Sequence, residues 1–168
     1  MLVLFSKNGG IFIIVFSELD TRLKPKQQWI CDNCGEVIES IEDGCLEWYK
    51  GNDDSLVENF RIVHHDSTCM YDPQMLFKEG KQAISMLLES LVGDSGLVYL
   101  LGLGVTEIRN FTEYQEIIKR LHVDHYEEAR LYWHLAEEDH FFEGANAAWP
   151  YLPETSLKII HKYKEKGK

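Results

Sequence analysis

The chain has 168 residues, of which 45% are hydrophobic, 12% aromatic and 27% charged, and its formal net charge is -11. This composition, with only four prolines, excludes a long disordered tail, and the length allows one core, or one core plus a small metal-stabilised module. Four cysteines, two of them in a single Cys-x-x-Cys, are too few for a secreted disulfide scaffold, so we expect reduced thiols and a cytoplasmic protein.

Charge and pattern divide the chain into three predicted parts. Residues 1–26, an N-terminal hairpin or arm, carry a net +2; residues 27–72, a β-rich module, carry -9; and residues 73–168, a helical domain, carry -4. Sequence-independent binding of nucleic acid depends on Lys and Arg that neutralise phosphates. The acidic middle part is therefore a poor direct nucleic-acid binder, and its charge favours a basic protein partner.

The N-terminal segment contains two apolar runs, MLVLFS and IFIIVF, on either side of Asn8-Gly9. Asn-Gly between runs of β-branched and aromatic residues predicts a β-hairpin. The runs lack the basic start and cleavage site of a signal peptide and are far shorter than the ~20 residues that cross a bilayer, so we expect no membrane association. The alternative interpretation is read-through from a misassigned start, which would make this arm dispensable.

The middle part contains two predicted strands, at Cys45–Lys50 and Asn59–His65. Each shows the alternation of a strand: Leu46 and Trp48 alternate with Glu47, Tyr49 and Cys45 in the first. The residues GNDDS at 51–55 have the composition of a turn between them.

Helical spacing of apolar residues dominates from Pro73 onward. The pattern predicts helices over 74–92, 112–121, 125–141 and 154–166, and leaves the state of 97–109 open. In the second of these helices, the predicted apolar face comprises Tyr114, Ile117, Ile118 and Leu121. The fold class is therefore predicted to be α+β, with a small β module followed by an α-helical domain.

Capping residues mark the starts of two of these helices. Thr112 with Gln115 forms a capping box, and Asp124 with Glu127 caps the following helix. The pair resembles a helix-turn-helix, but the acidic residues of its second helix would meet phosphate with like charge, so we exclude DNA reading by it. These acidic residues are Glu127, Glu128, Glu137, Glu138 and Asp139.

The strongest chemical signal is the motif Cys31-Asp32-Asn33-Cys34, followed by Gly35. A Cys-x-x-Cys places two thiolates on one tight turn, where both sulfurs reach one ion at ~2.3 Å. The glycine permits the backbone conformation that such metal-binding turns adopt. The motif predicts the first ligand pair of a metal site.

A candidate second pair lies about thirty residues downstream in His64-His65-Asp66-Ser67-Thr68-Cys69. The spacing of His65 and Cys69 fits best, His64 with Cys69 is the alternative, and Cys45 is a minor candidate for the fourth ligand. Three thiolates and one imidazole form a closed zinc site, which is typically structural because no position is left for water. The predicted Zn²⁺ ligands are Cys31, Cys34, His64, His65 and Cys69.

This arrangement resembles the zinc-ribbon or rubredoxin-like family over residues 29–70, although the second half lacks a Cys-x-x-Cys. The segments Trp29–Gly35 and Phe60–His65 are also similar to uncharacterised bacterial and phage proteins. The resemblance implies a zinc-stabilised β module and supplies no activity.

A thioredoxin-like redox role is disfavoured by the neighbours of the two thiols. Asp32, Glu36 and Glu39 are acidic and are expected to raise a thiol pKa, whereas a redox thiol needs an electropositive setting. Neither a Ser/His/Asp nor a Cys/His nucleophilic arrangement is apparent in the sequence.

The sequence therefore favours a non-enzymatic, zinc-binding protein with a partner-binding or regulatory role. Two other classes remain open. A zinc-dependent hydrolase would use an open metal position near His64 and His65, and a nucleic-acid accessory factor would use the basic N-terminal arm or the lysine-rich C-terminal end.

Overall fold

The computed structural model describes residues 2–7, 10–15, 21–52, 56–105 and 108–165, and for 2–7 and 10–15 it describes the backbone alone. Strands and helices are mixed, which confirms the predicted α+β class. The strands are β1 (Leu2–Lys7), β2 (Gly10–Val15), β3 (Trp29–Ile30), β4 (Val37–Ile38), β5 (Gly44–Gly51), β6 (Val57–His64) and β7 (Lys81–Leu87). The helices are α1 (Pro73–Lys78), α2 (Gly93–Leu103), α3 (Phe111–His122), α4 (Tyr126–Ala129), α5 (Trp133–Glu138) and α6 (Pro153–Tyr163).

The N-terminal strands form the predicted hairpin. β1 and β2 pair antiparallel, with Leu2 opposite Val15 and Lys7 opposite Gly10. The predicted turn at Asn8-Gly9 lies outside the described residues. The observed register is the one that such a two-residue turn sets.

The largest sheet has the strand order β6-β5-β7, with both pairs antiparallel. Both strands predicted in the middle part are confirmed as β5 and β6, and Cys45 lies opposite Val63 on one side and Leu87 on the other. Because β5 is central, its residues are buried almost throughout. The end of β6 at His64 lies opposite Gly44, beside the short β3–β4 hairpin.

The predicted helix over 74–92 is wrong after its first turns. Asp72 caps α1 by accepting hydrogen bonds from the backbone N–H groups of Gln74 and Met75, but α1 ends at Lys78. Gly80 follows with a φ of 71°, a left-handed conformation that ends the helix. β7 then pairs along β5, so the edge of the sheet decides the structure of a segment whose apolar spacing is ambiguous.

The later helices match their predicted positions better than their predicted caps. The open segment 97–109 contains most of α2. On α3, Tyr114, Ile117 and Leu121 of the predicted face are buried, and Ile118 is half-buried. The capping residue of α3 is Asn110, whose side chain accepts from the Glu113 N–H, so the predicted Thr112 cap is wrong.

The predicted helix over 125–141 is divided. α4 is separated from α5 by a short 3-10 segment, Arg130–Tyr132. His125 precedes α4 with a φ of 65° and makes no side-chain cap, so the predicted cap at Asp124 is also wrong. Glu127, its expected partner, is buried inside the protein instead.

Two clusters of buried apolar residues organise the described part of the chain. The first surrounds Trp29, Leu46 and Ile62 and reaches Leu121 on α3, and the second joins α4, α5 and α6 around Ile160. The division of the chain at residues 26 and 72 stays a prediction. Across the described residues, no helix combines the length and the apolarity needed to cross a membrane.

Candidate metal centre

Four of the predicted ligand residues lie together at one end of the sheet. The ligand atoms of Cys31, Cys34, His64 and Cys69 are all within 4.8 Å of one another. Cys31 follows β3, Cys34 lies in the β3–β4 turn, and His64 is the last residue of β6. Two candidate ligand residues from each of two segments thus lie near one point, with His64 rather than the preferred His65 in the second pair.

The β3–β4 turn holds the first ligand pair. The Cys31 N–H donates to the Glu36 carbonyl oxygen at 2.9 Å, and the Gly35 N–H donates to the Cys31 carbonyl oxygen at 2.9 Å. Gly35 has a φ of 78°. A Cβ atom at this position would meet nothing within 4 Å, so the backbone conformation, rather than space, requires the glycine.

Asp66, which lies between His64 and Cys69 in the sequence, shapes the turn that carries Cys69. Asp66 accepts through Oδ1 from the Thr68 N–H at 2.8 Å, and its carbonyl oxygen accepts from the Cys69 N–H at 3.2 Å. This is the local side-chain turn that aspartate favours. The Asp-x-Thr pattern in the sequence was the signal for it.

His64 is oriented by both of its ring nitrogens. Nε2 lies 3.3 Å from the Val37 carbonyl oxygen, which can only accept, so this contact favours the tautomer with the proton on Nε2. Nδ1, the nitrogen that a metal would use in that tautomer, lies 3.5 Å from Cys34 Sγ and 3.8 Å from Cys69 Sγ. Metal-bound histidines commonly donate their second N–H to a carbonyl in this way.

The structure places His64 in the group of four, whereas the sequence spacing favours His65. His65 is exposed beyond the end of β6, and its backbone N–H donates to the Asp43 carbonyl oxygen at 2.8 Å. Successive side chains of a strand point to opposite faces, so only one of the two neighbours can face the thiols. The ligand set as a whole stays a prediction.

Cys45 lies outside the group of four. It lies on β5, the central strand of the sheet. Burial there, and to a smaller extent the nearby Glu47 carboxylate, raises the pKa of its thiol to about 12. A buried thiol with a raised pKa is inert and behaves as a small apolar side chain.

The two buried thiols of the group differ in acidity. Burial raises the pKa of Cys31, but hydrogen bonds from the backbone of Cys34, His64 and Asn33 outweigh it and lower the pKa to about 6. Burial and the neighbouring thiols raise the pKa of Cys69 to about 11. The expectation that acidic neighbours raise the thiol pKa is therefore wrong for Cys31, because backbone amides dominate there.

The residues between the two cysteines are held by two arginines that the sequence analysis did not identify. Arg120 Nη1 lies 2.6 Å from Asp32 Oδ2. Arg61 Nη1 lies 3.4 Å from Asn33 Oδ1, and its Nη2 donates to the Cys69 carbonyl oxygen at 3.2 Å. Arg120 follows Ile117 by three residues and so shares its buried face; a charged residue at such a position was the available signal.

Two acidic residues that we expected on the surface of a helix are buried. Glu127 accepts from Arg120 and Arg130, and Glu128 accepts from the Leu23 N–H at 2.8 Å. Burial raises the pKa of Glu127, but the two guanidinium groups outweigh it and lower that pKa. The acidic surface used to exclude DNA reading is consequently smaller than the sequence suggests.

Comparison with protein-family models, curated proteins and solved structures finds no match to the chain. The resemblance to zinc ribbons therefore depends on the residues and geometry of the Cys3His group alone. That group is a cluster that could hold a metal ion, and its chemistry is compatible with Zn²⁺.

Proposed function

We propose that Cys31, Cys34, His64 and Cys69 bind one Zn²⁺ ion as a closed, structural site. The observation that carries the proposal is the convergence of these four ligand atoms within 4.8 Å. Tetrahedral zinc with bonds of about 2.3 Å to sulfur and 2.0–2.1 Å to nitrogen separates an N–S ligand pair by about 3.6 Å. The distances of 3.5 and 3.8 Å from His64 Nδ1 to two sulfurs agree with this value.

The metal would stabilise a part of the fold that has little regular structure of its own. β3 and β4 share only the pairs Trp29–Ile38 and Ile30–Val37. An isolated hairpin of this size is not stable in water. Zinc would join it to the end of β6, so the free energy of metal binding would become free energy of folding.

We further propose that the protein acts by binding a protein partner in the cytoplasm rather than by catalysis. Four protein ligands leave no open position for a reactive water. The surface near the site is acidic, because Glu36, Glu39, Glu42, Asp43 and Asp66 are all exposed. This charge favours a partner with a basic surface and disfavours direct contact with nucleic acid.

A zinc-dependent hydrolase is the second candidate, and one cavity favours it. The cavity has a volume of about 280 Å³ and is lined by His64 and His65 together with acidic groups. It would serve a reaction only if one of the four ligands were replaced by water. Cobalt substitution separates the two candidates, since a tetrahedral spectrum with three thiolate ligands and no response to small anions supports the closed site.

Metal analysis of cysteine variants tests the proposal. Protein purified without chelator should contain about one zinc per chain, and Cys31→Ala and Cys69→Ala should lose it. Cys45→Ala is the matched control, because it removes a buried thiol outside the group of four and should retain the metal. Absence of stoichiometric zinc from the unmodified protein would refute the proposal.

A further inference from the structure

The peptide segment around Cys31 is held from both sides by one buried ion pair. The Ile30 N–H donates to Glu127 Oε1 at 2.9 Å, and the Ile30 carbonyl oxygen accepts from Arg120 Nη2 at 3.1 Å. On the other side of Cys31, Arg120 Nη1 lies 2.6 Å from Asp32 Oδ2. Ile30 and Asp32, the residues before and after Cys31, are thus held in place by the side chains of Arg120 and Glu127.

The ion pair itself is closely packed and directional. Arg120 is only 4% exposed, and its Nε donates to Glu127 Oε2 at 2.7 Å. Arg130 Nε donates to the same Glu127 oxygen at 2.9 Å, and the Trp29 indole N–H donates to the Arg120 carbonyl oxygen at 3.2 Å. A planar guanidinium presents its donors in a fixed fork that reaches separated acceptors in defined directions, whereas a lysine offers its three donors from one compact nitrogen atom.

Asp32 also connects the segment to the strand that carries the other half of the site. Its Oδ2 accepts from the Ile62 N–H at 2.7 Å, while the Asp32 N–H donates to the Ile62 carbonyl oxygen at 2.8 Å. Ile62 lies two residues before His64 on β6. Arg120 therefore acts on a carboxylate that sets the position of the first ligand pair relative to the second.

We propose that Arg120, with Glu127, is a positioning residue for the metal centre, and that it couples metal occupancy to the packing of α3 and α4. The inference rests on the proposed zinc site and adds a residue far from it in sequence. Outer-shell partners of this kind orient ligands and so determine metal affinity. Because binding linkage is reciprocal, a metal ion at Cys31 must stabilise the arrangement of α3 and α4 to the same extent.

Zinc competition with a chromophoric chelator tests the first half of the proposal. Arg120→Met is expected to weaken Zn²⁺ binding by roughly 10- to 100-fold and to speed its release, and Arg120→Lys should recover only part of the loss. Leu121→Ala is the control, because it disturbs packing on the same helix and offers no polar group to residues 30–32. It should leave the zinc affinity of the folded protein close to that of the unmodified protein, although Leu121 belongs to the same buried cluster as Cys31, because it removes no hydrogen bond or ion pair from residues 30–32.

The double variant Asp32→Asn/Arg120→Met distinguishes positioning from a general loss of stability. If Arg120 acts through Asp32, the double variant loses little more affinity than either single variant, whereas independent effects multiply. The Co²⁺ spectrum of the variants should shift, since a displaced Cys31 changes the ligand geometry. If Arg120→Met does not fold, Zn²⁺ affinity is compared in Glu127→Gln, Asp32→Asn and the double variant of these two.

Amide hydrogen exchange with and without Zn²⁺ tests the second half. Metal addition should raise protection in residues 117–129 of the unmodified protein, and this gain should shrink in Arg120→Lys. If the unmodified protein binds no zinc, the proposed function itself fails. If it binds zinc but the Arg120 variants match it in affinity and exchange, the metal site stands and the positioning role is refuted.

Discussion

Residues 29–38 and 61–70, which surround the Cys3His group and which we call the module, and the C-terminal packing of α5 and α6 are held together by different kinds of contact. In the module, the three cysteines lie in or beside turns and His64 ends β6, and hydrogen bonds or ion pairs fix these segments to Arg61 and Arg120. At the C-terminal end, Ala136 and Ile160 are buried together, and Trp133 stacks on Tyr151 with ring centroids 5.6 Å apart. We call this second region the aromatic cluster; it comprises Trp133, Phe141, Phe142, Trp149, Tyr151 and Tyr163.

The two regions differ in the kind of interaction that stabilises them. Aromatic and aliphatic side chains in the second region gain stability mainly from burial, at roughly 25 cal/mol per Å² of apolar surface, and Tyr163 adds a hydrogen bond to Asp139. The module instead concentrates thiols and Arg61 around a small hairpin, and the buried carboxylates of Glu47 and Glu127 and the guanidinium of Arg120 pack against it. Such groups stabilise a fold only when all of their partners are present, so the module should depend on its ion and the aromatic cluster should not.

Removal of the metal should have the largest effect of these experiments, and it should destabilise the module while leaving the aromatic cluster folded. A chelator is expected to abolish protection of backbone amides in residues 29–38 and 62–70, because the ligands lose the ion that joins them. Protection in α6 should persist, since its core contains no metal ligand. Hydrogen exchange by mass spectrometry measures both regions in one sample.

Zinc added back is the control for that experiment and should restore protection in the module. Equal loss of protection in both regions would contradict the comparison, because it would show one cooperative unit. Unchanged exchange in the module would show that the metal has no part in its stability.

A substitution in the second region should have the converse effect. Ile160→Ala removes a fully buried side chain from the aromatic cluster's core and should lower the free energy of unfolding by about 2–5 kcal/mol. Zinc content should stay at that of the unmodified protein. Chemical denaturation followed by circular dichroism, with metal analysis of the same sample, checks both expectations, and loss of zinc would mean that the two regions are not separable.

Sequence reasoning succeeded where the signal is local. The Cys31–Gly35 turn and the strands β5 and β6 follow from short motifs whose physical requirements are contained within a few residues. The face of α3 likewise follows from its spacing, and Ile117 and Leu121 are buried as predicted.

Two larger errors occur where distant parts of the chain decide the outcome, whereas the wrong caps at Thr112 and Asp124 are local errors in where a helix begins. Residues 81–87 become a strand because β5 offers an edge, and no local pattern shows that edge. The burial of Glu127 depends on Arg120, which in turn depends on Asp32 at a separation of 88 residues. Long-range ion pairs of this kind are not visible in a single sequence.

The choice between two neighbouring histidines is a sharper test of the module. His64→Ala should reduce zinc affinity by more than the roughly 10- to 100-fold typical of an outer-shell partner, since it removes a ligand. His65→Ala is the matched control, one residue away and exposed, and should bind zinc as the unmodified protein does. Competition with a chelator measures both, and the reverse ranking would place the ligand at His65.

The smallest expected effect is an acid-dependent loss of stability from Glu127. Its pKa is lowered in the folded protein, because Arg120 and Arg130 outweigh the burial that raises it. A carboxyl group with a lowered folded pKa contributes stability above its unfolded pKa and loses it as the pH falls through the folded value. Glu127→Gln should therefore unfold with a shallower pH dependence below about pH 4.5, by at most about 1.4 kcal/mol per pH unit. Urea titrations of metal-free protein, compared with Glu137→Gln as an exposed control, measure the slope, and equal slopes in the two variants would show that Glu127 is not stabilised by its arginines.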